Sequence, residues 1–88
     1  APPWEQLEGW EDLVGRLSGA VIKWLQLAEE LEMSREVTGY YRRLAVRLQH
    51  CEGPEDVGPR ETVRTLWNAL GSIGRQIVGM EQLAGVRR

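Results

Sequence analysis

The amino-acid sequence predicts an all-α fold, an antiparallel bundle of five or six short helices. Apolar residues return every three or four positions along most of the chain and nowhere alternate with a period of two for long, the spacing of amphipathic helices and not of strands. Glycine, serine and proline interrupt these stripes about once per typical helix length. The 88 residues, 42% hydrophobic and 27% charged, suit one small globular domain and leave no room for a second. Residues 1–88 therefore read as a single helical domain, a fragment of a larger protein, with its core between residues 7 and 83.

Leu7, Trp10, Val14 and Leu17 form the first apolar stripe, and Val21, Trp24, Ala28 and Leu31 continue it. A glycine costs about 1 kcal/mol relative to alanine inside a helix. Ser18-Gly19, with Gly15 one turn earlier, therefore predicts a break into two helices. The stripe keeps its register across that point, so one long helix also fits it. Ser34 reads as an N-cap, with Glu36 and Val37 behind it, opening a segment whose apolar positions are Val37, Tyr41, Leu44, Leu48 and Cys51. Gly39 weakens its first turns. From Gly53 to Pro59 the chain carries two glycines and two prolines and reads as a loop, with Pro59 near the first turn of the next helix and Glu61 suited to its positive end. The last stripe is Val63, Leu66, Leu70, Ile73, Ile77, Met80 and Ala84, and Gly71-Ser72 and Gly74 predict a second split within it.

The inventory of reactive side chains argues against an enzyme. One cysteine and one histidine exclude an internal disulfide framework and a multi-histidine metal cage. His50 and Cys51 are neighbours, and neighbours on a helix do not face each other, so they form a poor nucleophilic pair. Glu29, Glu30 and Glu32 could supply acid and base carboxylates, but nothing opposite them marks a cleft, and a solvated face accounts for them. The run from Gly71 to Gly74 lacks the preceding strand and the Gly-Lys-Ser/Thr ending of a phosphate loop. Trp10 and Trp24 fall on the apolar stripe and read as core anchors, whereas Trp4 and Trp67 are candidates for partial exposure. No catalytic, cofactor or metal site is expected, and no cofactor or small-molecule substrate. With no apolar run of about 18 residues and no signal-peptide pattern at Ala1 to Trp4, the expected location is cytoplasmic, or the intracellular part of a receptor.

Charge is segregated along the chain. Residues 1–34 hold seven acidic against two basic side chains, a net of minus five, and residues 35–88 hold nine arginines against six acids, a net of plus three. A chain with a net charge of minus two lacks the broad basic surface that nucleic acid requires. Segregated charge suits protein contacts that pair an acidic with a basic face.

Two stretches resemble the death domain of the death-fold superfamily, most nearly its compact neurotrophin-receptor type. Trp24, the Leu27-Ala28 pair and Leu31, followed by Met33-Ser34, are similar to that family's second helix and the polar turn after it. From Glu61 to Arg75, the Ala69-Leu70 pair, then Ile73 and Arg75, resemble its fifth helix and the turn into the sixth, which would run from Ile77 to Leu83. The chain departs from the family at Glu32, where a glycine is usual, at Gln49-His50-Cys51, where a late tryptophan is missing, and at Gln76, where aspartate is frequent. A third helix at residues 35–39 would be abbreviated. The resemblance implies an adaptor or receptor tail that binds other death-fold proteins or another copy of itself, in apoptotic or NF-κB signalling, with neither nucleic acid nor membrane insertion involved. Glu29, Glu30 and Glu32 would form its acidic side, and Arg42, Arg43, Arg47, Arg64 and Arg75 its basic side.

Two other readings compete. A three-helix bundle like a spectrin repeat takes the unbroken stripe from Leu7 to Leu31 as its first long helix. A viral or membrane-associated helical protein that binds a host partner would require the arginines to form one concentrated patch. Helix count separates the first two: five or six short helices against three long ones.

Overall fold

The computed structural model describes residues 7–50 and 60–87, with side chains over 10–50 and 64–87. These residues form three helices and no strand: α1 (Leu7–Glu30), α2 (Arg35–Gln49) and α3 (Arg60–Arg87). The all-α class is as the sequence predicts. The helix number among the described residues is three, where five or six were expected. The breaks expected at Ser18-Gly19 and from Gly71 to Gly74 are absent, and residues 35–39 are the opening turns of α2. Trp4, Cys51 and the loop from Gly53 to Pro59 lie outside the described residues.

Burial explains why the glycines fail to end the helices. The side chains of α1 that meet the core are Trp10, Leu13, Leu17, Val21, Trp24, Leu27 and Ala28, and Leu13, Leu17 and Val21 are fully inaccessible. Leu13 and Leu27, which the predicted stripe omitted, complete a heptad line of Trp10, Leu13, Leu17, Ala20, Trp24, Leu27 and Leu31 that runs across Gly19 without a slip. On α3, Leu66, Leu70, Ile73, Ile77, Met80 and Ala84 hold the same alternation of four and three across Gly71 and Gly74. Burying one large aliphatic side chain is worth about 1.5–3 kcal/mol, and ending the helix would misplace several, so the local cost of about 1 kcal/mol per glycine is outweighed. Gly15, Gly19, Gly71 and Gly74 also face solvent, where no core contact depends on them.

Both ends of the turn between α1 and α2 are capped. At the end of α1, the Glu32 amide donates to the Glu29 carbonyl at 3.0 Å and the Met33 amide to the Ala28 carbonyl at 2.9 Å, the two bonds of a Schellman motif. Glu32 holds the left-handed position of that motif, with φ of 58°. Ser34 then caps α2 as predicted, its Oγ accepting from the Val37 amide at 3.3 Å. The chain reverses within four residues, and α2 runs antiparallel to α1.

Helix α1 packs against both other helices, while α2 and α3 meet each other far less among the described residues. Trp24 joins all three. Its indole N–H donates to the Gln76 Oε1 on α3 at 3.0 Å, its ring lies 4.2 Å from that of Tyr41 on α2, and Gln76 is steadied by donating from Nε2 to the Ser72 Oγ at 3.3 Å. The result is a rod of 43 × 22 × 17 Å, whose long axis is about the length of a 28-residue helix at 1.5 Å per residue.

Continuity of the long helices predicts the effect of filling the glycines. A Cβ at Gly15 or Gly74 meets nothing within 4 Å. Gly15→Ala and Gly74→Ala should each raise the unfolding free energy by about 1 kcal/mol in urea titrations. No gain at either position would mean that the helix does not pass through it.

Candidate functional site

The turn between α1 and α2 opens onto a surface groove of about 480 Å³, lined by Leu25, Glu29, Glu32, Met33, Arg35, Thr38 and Arg42. Helix periodicity assembles it. Leu25 and Glu29 stand one turn apart on the side of α1 toward α2, and Arg35, Thr38 and Arg42 occupy the facing side of α2. Thr38 is buried, and its hydroxyl donates to the Arg35 carbonyl at 3.4 Å, so it adds floor and not a free polar group. Leu25 and Met33 are half-buried against the core and supply the apolar part of the floor.

The walls carry opposite charge. Glu29 and Glu32 stand on the α1 side, Arg35 and Arg42 on the α2 side, and all four are exposed. Across the groove they form no ion pair among the described residues. Glu32 reaches the other way, to the Arg87 guanidinium at 3.4 Å near the end of α3. The side chains of Glu29, Arg35 and Arg42 hold no hydrogen bond or ion pair among the described residues. Glu29, Arg35 and Arg42 are thus presented to solvent over a partly apolar floor, with no ion pair joining the two walls among the described residues.

The remaining residues of the predicted faces are distributed elsewhere. Arg43 and Arg47 join Arg42 and Val46 in a shallower depression of about 440 Å³ on the outer side of α2, with the aliphatic stems of three arginines around an exposed valine. Glu30 is exposed at the end of α1 but does not line the groove. Arg64 and Arg75 stand on α3, outside both depressions. Glu29, Glu32 and Arg42 share one groove.

Arg35, Leu25, Met33 and Thr38 were not among the predicted site residues. Arg35 follows the N-cap and belongs to the same i, i+7 line as Arg42, a signal the sequence did contain. The other three become lining only once α1 and α2 are laid side by side.

Among the described residues, no group of three histidine, cysteine, aspartate or glutamate side chains is placed to hold a metal ion, and no helix is long and apolar enough to cross a membrane. Comparison with protein families, characterised proteins and solved structures finds no match to this chain.

The left-handed turn at the end of the groove can be tested directly. Glu32→Gly and Glu32→Ala both remove the exposed pair with Arg87, so their difference isolates backbone strain. The glycine variant should be the more stable by about 1 kcal/mol, the reverse of the order at an ordinary helical position. The opposite order in urea titrations would place Glu32 outside the left-handed region.

Proposed function

We propose that this chain is a non-enzymatic protein–protein interaction module, a three-helix scaffold that presents the α1/α2 groove to a partner. The observation that carries this reading is the pairing of an acidic wall and a basic wall, without mutual ion pairs, over a floor of Leu25 and Met33. Rim charges that are not paired across the groove give a contact its orientation and a salt-dependent association rate, and the apolar part of the floor gives it buried area. Ile22, 48% exposed, stands one turn before Leu25 on α1, and Val46, 55% exposed, stands one turn beyond Arg42 in the adjoining outer depression.

The narrower role, an adaptor or receptor tail of death-domain type in apoptotic or NF-κB signalling, rests on the resemblance of residues 24–34 and 61–75. Its partners would be other death-fold proteins. A structural role as a spectrin-like spacer is the second reading, favoured by three long helices with heptad spacing. A spacer needs no contact through the groove, and that difference separates the two.

Photo-crosslinking from position 46 tests the module reading, with position 75 on α3 as control. At physiological salt, a probe at position 46 should yield a defined protein adduct, whether with another copy or with a different protein from cell extract. The adduct should be lost on Arg42→Glu and kept on Arg75→Glu. Equal, diffuse labelling from both positions would leave the spacer reading.

A further inference from the structure

The walls of the α1/α2 groove rise from antiparallel helices and are complementary to each other. Glu29 and Glu32 line one wall, Arg35 and Arg42 the other, at the same end of the bundle. Rotation by 180° about an axis along the groove lays the α1 wall of one molecule on the α2 wall of another without shifting either along its length. Glu29 and Glu32 then face the second copy's Arg35 and Arg42, and the reciprocal contacts form by symmetry. A two-fold axis across the groove would instead set acid against acid, so the charges select one arrangement.

The apolar and small residues follow the same lines. On α1, Gly15 and Ile22 precede Glu29 at spacings of seven and so continue the line of the acidic wall, while on α2 Val46 stands one turn beyond Arg42, in the outer depression that shares Arg42 with the groove. Ile22 and Val46 are about half exposed, and a Cβ at Gly15 meets nothing within 4 Å. A glycine on that line lets a second helix approach closely. Charge complementarity thus coincides with exposed apolar side chains and with space for a neighbouring backbone.

We propose that this face is the interface of an isologous homodimer, in which α1 of each copy packs antiparallel to α2 of the other. The inference rests on the reading of the groove as a protein contact surface and names the partner as a second copy of the chain.

Light scattering of the chain at low and high salt, alone and with charge-reversal variants, tests it. Wild-type protein should have twice the mass of the 10.0 kDa chain at low salt and dissociate as salt rises. Glu29→Arg and Arg42→Glu should each weaken association by about tenfold or more, with helix content unchanged by circular dichroism. An equimolar mixture of the two should recover the dimer with one copy of each, because each supplies the charge the other lacks. Ile22→Ser, which changes no charge, should weaken the dimer as well, and Arg75→Glu should leave it intact. A wild-type monomer at every salt concentration, or a mixture of the two variants that stays monomeric, would overturn the proposal. A wild-type monomer that still forms an adduct with another protein from position 46 would overturn the dimer while leaving the groove as a contact site.

Discussion

Among the described residues, helix α1 is the surface against which both α2 and α3 pack. Its seven buried side chains face a line along which both other helices pack, while α2 and α3 contribute little to each other. Loss of order in α1 would therefore strip both partners of their apolar cover at once. Trp24 shows the dependence at a single residue: its ring meets Tyr41, its N–H meets Gln76, and the Gln76 amide is held in turn by Ser72. A buried indole N–H without such a partner carries a desolvation cost of about 1–3 kcal/mol. Trp67 is in that position among the described residues, since its Nε1 is buried without a hydrogen bond to any of them.

The contact surface follows from how α1 ends. A Schellman turn with Glu32 in the left-handed region reverses the chain in four residues, and Ser34 starts α2 immediately. That tight reversal falls where the charge of the sequence changes sign, after residue 34. Charges separated along the chain become opposite walls of one groove. A longer connection would have let α2 swing away from Glu29, and an ion pair across the gap would have neutralised the walls. Neither occurs, so the field of the groove stays open to a partner and sensitive to ionic strength.

The all-α class, the cap at Ser34 and the burial of Trp10 and Trp24 were legible in the sequence because each follows from spacing or from local backbone chemistry. Glu32 was not legible: neither spacing nor local preference marks it as the one non-glycine positive φ among the described residues. The helix number was not legible, because it turns on a competition between a local penalty at Gly19 or Gly74 and burial of residues such as Leu17, Val21 and Ile73, whose packing depends on other helices. Register was the better guide. The stripe never slipped at Gly19, and that continuity reflects the tertiary structure more faithfully than the glycine. In the groove, the charged residues Glu29, Glu32 and Arg42 could be named in advance, while Leu25, Met33 and Thr38 could not. Their role exists only in the space between two helices.

The central claim is that α1 is one uninterrupted helix to which the rest of the molecule is bound. Amide hydrogen exchange resolved along residues 15–24 tests it most directly. The account predicts that the amides from Gly19 to Lys23 are protected as strongly as those near Leu17 and Trp24, and that they exchange through the same opening of the whole domain. Exchange of the amides after Gly19 at the rate of an unfolded chain, while their neighbours on both sides stay protected, would show two helices and contradict it.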